Sequence, residues 1–357
     1  MTRLHKFMML ALAATMLFPA AAMAGTSRKA KTADVTVMTR NLYLGADIIK
    51  LATAPNRDEF EKQAAALFRT VQQTDFSSRA ALIADEVKRT KPDVIGMQEV
   101  ALWRKGADGV KDGSATPATE VVYDWLVDLN RELKERKLKY RVARTQDEFD
   151  FEGPTALGYD IRFTQRDAVL VRVGSDVKVK GIKSGNYKAG LQVPLASIGE
   201  TANVRRGYIR MDATVKGAKF RYANTHLEAY SEAVGLDQAK ELTSGPAKSR
   251  GQTIVTGDMN SAPGSDDSDP IDHLFGFGLD DTFFRKNRKR TPTCCQQEDL
   301  LNAQSQLKSY IDFVLAKPRA TVRKSQLVGN SASIKTSSGL WPSDHAGVVS
   351  TLRLKVR

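Results

Sequence analysis

The sequence predicts one α/β domain. From Asp34 onward, short β-branched segments alternate with helical ones, for example a strand at 35–39 and a helix at 57–73. Polar motifs follow several of the strands, which is typical of a packed scaffold that carries a site on its loops. No segment rich in proline, glycine and serine divides the chain. We therefore expect a single domain over residues 34–357.

The remaining elements follow from hydrophobic spacing and from helix-ending residues. A second helix at 78–90 has Leu82, Ile83 and Val87 on one face, and Lys91-Pro92 ends it. We expect a third helix at 118–137 and a long loop at 183–203. The predicted strands lie at 93–97, 140–143, 168–173, 208–215, 219–225, 253–256, 309–315 and 346–354.

Residues 1–24 have the pattern of a secretory signal peptide. Arg3 and Lys6 precede an apolar run at 7–22, and Ala22-Met23-Ala24 is a small-x-small cleavage site. The run is about 16 residues, shorter than the roughly 20 that span a membrane. We expect removal of this leader, a short linker at 25–33, and a periplasmic or secreted protein. An uncleaved membrane anchor is the alternative.

The charge balance favours a polyanionic partner without requiring one. The formal net charge of +13 falls to +11 once the leader is removed, because Arg3 and Lys6 are lost with no acid. Such an excess attracts nucleic acid or anionic membranes, although exported proteins that bind neither also carry it. Basic residues cluster at 205–206 and at 285–290, and the second cluster is either a solvated loop or a polyanion contact.

The two cysteines are sequence neighbours, Cys294 and Cys295. Export permits a disulfide, but Cα atoms about 3.8 Å apart are closer than the usual disulfide range. A strained ring and two reduced thiols both remain open. A zinc site is not expected, since nothing nearby supplies further ligands.

Six short polar motifs carry the chemistry. They are Arg40-Asn41-Leu42, Met97-Gln98-Glu99, Asn224-Thr225-His226-Leu227, Gly257-Asp258-Met259-Asn260, Ile311-Asp312 and Ser343-Asp344-His345. Glu99 and Asp344 are hard oxygen ligands suited to Mg²⁺ or Mn²⁺, and Asn41 offers a neutral oxygen. A metal that neutralises charge is what hydrolysis of a phosphodiester requires.

The other polar residues of the motifs supply proton transfer and hydrogen bonds. Asp312 and His345 suggest a carboxylate that orients an imidazole and raises its basicity. Asp258 and Asn260 are two apart after a glycine, so one can orient water while the other contacts phosphate. His226 is a further candidate, with a buried structural histidine as the alternative. His273 matches no motif, and we expect a structural role.

The ordered set resembles the endonuclease/exonuclease/phosphatase superfamily, from Asp34 to the C-terminus. The resemblance implies a four-layer α/β sandwich, with two mixed β-sheets flanked by helices and the site at one sheet edge. It implies metal binding by Asn41, Glu99 and Asp344. It also implies catalytic roles for five residues, namely His226, Asp258, Asn260, Asp312 and His345.

Two departures from the family pattern stand out. The interval from Asn41 to Glu99 is 58 residues, longer than in compact members, because it contains a helical insert that could reshape the substrate groove. Met259 stands where phenylalanine is frequent, which changes no catalytic atom. Near the motifs, Leu340-Trp341 is the apolar pair that we expect in a pocket wall rather than in a membrane anchor.

The sequence therefore predicts an exported, Mg²⁺-dependent phosphodiester hydrolase, monomeric, and acting on DNA as an endonuclease. A sphingomyelinase-like enzyme at a lipid surface and a phosphatase of soluble phosphorylated compounds are the alternative enzymes. A non-catalytic binding module on the same fold is the alternative from another class. Competent residues at every motif position argue against that module.

Overall fold

Two mixed β-sheets lie face to face, and helices cover their outer faces. The computed structural model describes residues 31–109, 116–264 and 269–356. The expected four-layer α/β sandwich is confirmed. The predicted leader at 1–24 and most of the linker at 25–33 lie outside the described residues, and the compact unit begins at Lys31.

The larger sheet has eight strands, in the order β13-β14-β1-β2-β6-β3-β4, with β5 also paired to β6. Its strands are β1 (Thr32–Asn41), β2 (Val94–Gln98), β3 (Leu102–Ala107), β4 (Glu120–Asp124), β5 (Tyr140–Gly153), β6 (Tyr159–Arg172), β13 (Thr321–Val328) and β14 (Gly347–Lys355). The smaller sheet has six strands in the order β11-β12-β10-β9-β8-β7. These are β7 (Val177–Leu195), β8 (Glu200–Val215), β9 (Ala218–His226), β10 (Gln252–Asp258), β11 (Asp280–Asp281) and β12 (Asp312–Ala316).

The helices divide between the two outer faces. On the larger sheet lie α1 (Arg57–Gln73), α2 (Phe76–Thr90) and α3 (Trp125–Glu135). On the smaller sheet lie α4 (Glu232–Ser244) and α5 (Pro270–Gly276), and α6 (Thr282–Asn287) follows β11. Two 3-10 helices span Ile48–Thr53 and Ala196–Ile198. Within the described ranges, no helix combines the length and apolar character needed to cross a membrane.

The predicted third helix at 118–137 is wrong in its first part. Residues 120–124 form the strand β4, and Val121 is 56% exposed rather than packed on a helical face. Val121 and Val122 are β-branched and suit a strand. The Asp124 carboxylate then accepts a hydrogen bond from Leu126 N at 3.0 Å and starts α3 as its N-cap.

The predicted loop at 183–203 is also wrong. Residues of β7 and β8 pair antiparallel from Val177 with Val215 to Leu195 with Glu200, as one long hairpin with two irregular pairings. The many lysines and glycines of this segment are not typical of a strand, so its strand structure depends on hydrogen bonding to the neighbouring strand. The basic cluster at 285–290 is likewise not all loop, since residues 285–287 end the helix α6.

A polar network crosses the otherwise apolar space between the sheets. Asn224 on β9 accepts hydrogen bonds from Gln98 of the other sheet at 2.7 Å and from Thr256 at 3.0 Å. A Cβ on Gly96 would lie 2.1 Å from the Asn224 Oδ1 atom. Glycine is therefore required at position 96, where a backbone and a polar group approach this closely.

Two buried arginines tie the helices to the strand ends. Arg40 pairs with Glu86 of α2 at 3.0 Å, with both side chains fully buried, and it also donates to the carbonyl of His345. Arg79 of α2 donates to the carbonyls of Leu42 at 2.9 Å and Pro342 at 3.0 Å. These contacts join the loop after β1 to the loop before β14.

The Arg40–Glu86 pair supplies a stability prediction. Glu86→Ala leaves a buried guanidinium without its carboxylate, so the free energy of unfolding should fall by about 3–5 kcal/mol. The apolar double variant Arg40→Met/Glu86→Leu should lose less, since it buries no charge. Glu61→Ala removes the exposed pair with Arg57 and should change the value by less than about 1 kcal/mol. Urea denaturation measures all three, and equal losses for Glu86→Ala and Glu61→Ala would refute the assignment.

Candidate functional site

Strand register alone brings three of the predicted residues side by side. Asp258 at the end of β10 lies opposite His226 on β9 and opposite Asp312 on β12. In the other sheet, Asn41 at the end of β1 is level with Gln98, the residue before Glu99. Parallel neighbours end at the same sheet edge, so polar residues at these ends face one cleft.

The loop before β14 completes the cluster. Ser343 donates to the carbonyl of Asn41 at 2.9 Å, which fixes this loop on β1. His345 then places its Nδ1 atom 2.8 Å from Asp312 Oδ2 and its Nε2 atom 3.9 Å from Asp344 Oδ1. The imidazole is therefore held by a carboxylate on one nitrogen and directed toward the acidic cleft with the other.

Asn41 joins the acidic residues of the two sheets. Its amide nitrogen lies 3.1 Å from Glu99 Oε1 and 3.0 Å from Asp258 Oδ2. The other Glu99 oxygen accepts from Leu44 N at 2.7 Å. On the far side, Asn260 Nδ2 is 3.0 Å from His226 Nε2. Each of the eight predicted residues thus lies within 4.0 Å of another residue of the set. The set comprises Asn41, Glu99, His226, Asp258, Asn260, Asp312, Asp344 and His345.

Two of these residues have strained backbones. Glu99 has φ +55° and Asn260 has φ +46°, both in the left-handed region. Asparagine tolerates that region, but glutamate rarely occupies it. Such strain persists where the surrounding contacts over-determine the geometry, and it concentrates at functional sites.

The carboxylates repel one another. Burial, together with Asp312, raises the pKa of Asp258 to about 7. Burial and the nearby Glu99 raise the pKa of Asp344 to about 6, against the favourable field of His345. A cleft that holds this much negative charge suits a cation.

The pKa values of the two histidines of the cleft shift in opposite directions. Burial, with the positive Arg206 beside it, holds the pKa of His226 well below its usual value, so its ring is neutral. Burial opposes the charged form of His345 too, but Asp312, Asp344 and Asp258 outweigh it and raise its pKa well above the usual value. One ring is therefore a neutral hydrogen-bonding group, and the other is a strong base.

Sequence reasoning missed the residues that surround His226. Arg206 belongs to the basic pair 205–206 in the sequence, yet it is 5% exposed, and its guanidinium lies 3.2 Å from His226 Nδ1 and 3.4 Å from Glu228. Gln165 on β6 lies 3.2 Å from the same nitrogen. Gln165 and Asp167 interrupt the apolar residues of one strand face, a signal that could have identified them.

Two buried carboxyl groups form a second acidic cluster with His226. Glu148, Asp167 and His226 place ligand-type atoms within 4.8 Å of one another. Burial raises the pKa of Glu148 to about 8 and that of Asp167 well above its usual value. Arg206 lies 4.0 Å from Glu148 and supplies the positive charge of this cluster.

The cysteine neighbours lie against the site although they belong to no motif. The structure pairs Cys294 with Cys295 and places Cys295 Sγ 3.8 Å from His345 Nε2. Their segment also contacts the last motif, since Gln296 N donates to the carbonyl of Asp344 at 2.9 Å. His273, by contrast, lies 3.0 Å from Thr243 between α4 and α5 and is not in the cleft.

A cavity of about 230 Å³ opens beside this cluster. Glu99, His226, Asp258, Asn260 and His345 line one end of it, together with Arg206. Most of the remaining lining is apolar. It comes from the insert after β1, from the β7–β8 hairpin and from the strands β3, β5 and β6. Leu340 and Trp341, which we expected in a pocket wall, instead form a small buried cluster with Tyr43 and Leu300.

Comparison with solved structures shows the same fold in other proteins. An endonuclease/exonuclease/phosphatase family protein from Bacteroides thetaiotaomicron has a TM-score of 0.54 at 15% identity, and the match covers 91% of this chain and 99% of that one. A mannosyl-6-phosphatase from the same species has a TM-score of 0.54 at 16% identity, with coverage of 89% and 99%. A family protein from Leptotrichia buccalis has a TM-score of 0.54 at 14% identity, with coverage of 89% and 99%. At these identities the likeness shows the fold alone.

Sequence comparison supplies the family. A search of curated proteins found no significant match. The profile of the endonuclease/exonuclease/phosphatase family matches residues 71–345, which is most of the chain and includes five of the six motifs. Members of this family are divalent-metal-dependent enzymes that hydrolyse phosphoesters. The chain belongs to the endonuclease/exonuclease/phosphatase family.

Proposed function

We propose that this protein is an exported, Mg²⁺-dependent phosphodiester hydrolase. The observation that carries the proposal is the connected cluster around Asp258, whose Oδ2 atom lies 3.0 Å from Asn41 and 3.7 Å from both His226 and His345. One cleft thus combines hard oxygen ligands, a strong base and neutral donors. Hydrolysis of a phosphodiester needs these three functions together.

The donor set fits a divalent cation. Glu99 and Asp344 would hold it. Asn41 would serve as the neutral ligand with its amide turned over, since its nitrogen faces Glu99 and Asp258 and its oxygen accepts from Tyr43 N at 2.8 Å. Burial raises the pKa of Asp344, and repulsion from Glu99 adds to the rise; a cation bound between the two carboxylates would relieve this repulsion. A bound Mg²⁺ supplies Lewis-acid stabilisation of the charge on the phosphoryl oxygens.

The chain's own residues account for the proton transfers and the orientation of the phosphate. Asp258, held by Asn260 N at 2.9 Å, can position a water and accept its proton. His345, held by Asp312, accepts or donates a proton at Nε2. Neutral His226 and the amide of Asn260 can donate hydrogen bonds to a phosphoryl oxygen without adding charge.

We propose DNA as the first candidate for the substrate. The mature charge of +11 supports it through attraction to phosphates. The basic cluster supports it less than we expected, since Arg285 lies 3.6 Å from Asp280 and Arg290 lies 4.8 Å from the ring centre of Phe284. Lipid phosphodiesters and soluble phosphates are the alternatives.

Metal dependence is tested with Glu99→Gln. Loss of one charged ligand should raise the Mg²⁺ concentration for half-maximal turnover of bis(p-nitrophenyl) phosphate by about tenfold or more. The amide keeps an oxygen for Leu44 N, so the fold should persist. Glu120→Gln, which alters an exposed pair with Lys105, is the control. Turnover that is indifferent to EDTA would contradict the metal site, and absence of turnover by folded protein on this ester, plasmid DNA, RNA and sphingomyelin would favour a binding module.

The Asp312–His345 pair should act as one unit. His345→Ala should lower kcat by about 10²–10⁴-fold, and Asp312→Ala/His345→Ala should lose little more, because the carboxylate acts through the ring. Activity needs neutral His345, so the rate should fall as the pH drops below its pKa. Asp312 raises that pKa, so Asp312→Asn should move the acidic limb of the pH–rate profile to lower pH. Losses that multiply, or a limb that stays in place, would argue against the pair.

Export rests on the leader alone. In a Gram-negative host, protein recovered from the periplasm or the medium should begin at Gly25, as mass spectrometry of the intact chain would show. Ala24→Asp should block processing at this site. Recovery of the full-length chain from the cytoplasm would refute the proposal.

A further inference from the structure

The cavity beside the catalytic cluster has an apolar part that the hydrolysis of a phosphoester does not itself require. We call it the apolar chamber and define it by six of its lining residues, Leu51, Phe60, Ala64, Phe151, Leu195 and Ala202. These side chains belong to a hydrophobic cluster separate from the two large cores of the domain. The chamber is therefore lined by a cluster of its own, and Trp103 and Phe163 of the core on the larger sheet border the same cavity.

Segments outside the catalytic motifs build this chamber. The first 3-10 helix contributes Leu51, and α1 contributes Phe60 and Ala64, so one wall is the insert between Asn41 and Glu99. The β7–β8 hairpin and β5 supply the rest. Phe60 is fully buried, and Ala64 is 8% exposed. The wall is thus a packed surface and not a loose group of exposed side chains.

The chamber and the catalytic cluster share one cavity. His226, Asn260 and His345 line the same space as Phe151 and Leu195. Apart from the histidines, the charged side chains along the lining are those of Glu99, Arg206 and Asp258. All three lie in or against the catalytic cluster. A phosphoryl group held by that cluster would therefore direct an adjacent ester group into apolar surroundings.

The size of the cavity sets the size of that group. A dry cavity of about 150 Å³ lined by Leu, Ile and Phe binds benzene. The cavity here is about 230 Å³ including its catalytic end, so that in proportion about nine carbons is the upper limit for the hydrocarbon that fits beside a phosphoryl group. A nucleotide's sugar and phosphates would have to be buried here without polar partners, which is costly.

We propose that the apolar chamber binds a hydrocarbon ester group of the substrate, so that this enzyme selects phosphoesters with an alkyl or aryl group next to the phosphate. The inference rests on the proposed function for the placement of the phosphoryl group. Its hydrocarbon comes from either of two sources, a lipid alcohol whose chain is esterified directly to the phosphate or an aromatic alcohol, and both need an apolar wall.

Binding of alkylphosphonates tests the proposal without any need for turnover. Kd values of methyl-, butyl- and octylphosphonate are measured by calorimetry on the full mature chain with saturating Mg²⁺. Each buried methylene should tighten binding by up to about fourfold. Octylphosphonate should then bind at least about a hundredfold more tightly than methylphosphonate. A ratio near one would overturn the proposal.

Matched variants locate the binding. Ala64→Phe places a ring into the chamber and should reduce the octyl-to-methyl ratio at least tenfold. Ala66→Phe puts the same ring on an exposed position of the same helix and should leave the ratio unchanged. Ala202→Phe fills the chamber from β8 and serves if the first variant does not fold. Equal ratios in the filled variants and in wild type would overturn the assignment to this chamber.

Two further measurements distinguish a lipid chain from an aromatic group and distinguish failure of the chamber proposal from failure of the proposed function. Tighter binding of 1-naphthylmethylphosphonate than of octylphosphonate would assign an aromatic group, and the reverse order a lipid chain. Protein that binds octylphosphonate selectively but cleaves no ester would contradict the proposed function and leave the chamber supported. Protein that cleaves plasmid DNA while binding all three alkylphosphonates equally would keep the hydrolase and refute the chamber.

Discussion

The structure of the site depends on two arginines that are buried behind it. Asn41 ends the strand β1, His345 lies in the loop before β14, and these two segments bring acidic side chains together. Arg40 donates to the carbonyl of His345 and to that of Asn41, and Glu86 neutralises its charge. Backbone carbonyls are thereby held by a buried cation, and the acidic side chains are left facing the cleft.

Arg79 works in a different way. Within the described ranges, no carboxylate lies within ion-pair distance of it, and it donates instead to four carbonyls, those of Leu42, Tyr43, Thr74 and Pro342. Its guanidinium also lies 5.0 Å from the ring centre of Phe76 and 5.3 Å from that of Trp125. Burial lowers its pKa to about 10, so it stays charged at neutral pH. Its positive field lowers the pKa of Asp344 and opposes the repulsion between carboxylates.

Much of the site was predictable because its residues sit at strand ends. A motif such as Gly257-Asp258 indicates both the end of a strand and a polar side chain there, and β10 ends at Asp258, two residues beyond the predicted end. The helix α1 was predicted with its bounds, because Asn56 caps it and apolar residues recur at helical spacing. The resemblance to the family rests on such motifs, and the sandwich fold and the enzyme class were expected through that resemblance.

The parts that failed depend on long-range contacts. Arg206 looks like a surface charge until β8 pairs with β9 and brings it against His226. The β7–β8 hairpin is stabilised by its pairing and not by local propensity, so its composition suggested a loop. The strand β4 likewise depends on a long-range contact, since its pairing with β3 makes the segment around Val121 a strand rather than a helix. Sequence also could not show that the insert meets the hairpin beside the cleft.

The separation between the chamber wall and the catalytic motifs has a consequence for how this enzyme can diverge. The insert and the hairpin touch the substrate cavity, yet neither contributes any of the eight clustered residues. A change of length or side-chain size in either segment would alter which molecules fit, while the strand ends continue to hold the same reactive atoms. Paralogues could therefore acquire new substrates through sequence changes in these two peripheral segments, while the catalytic residues stay the same.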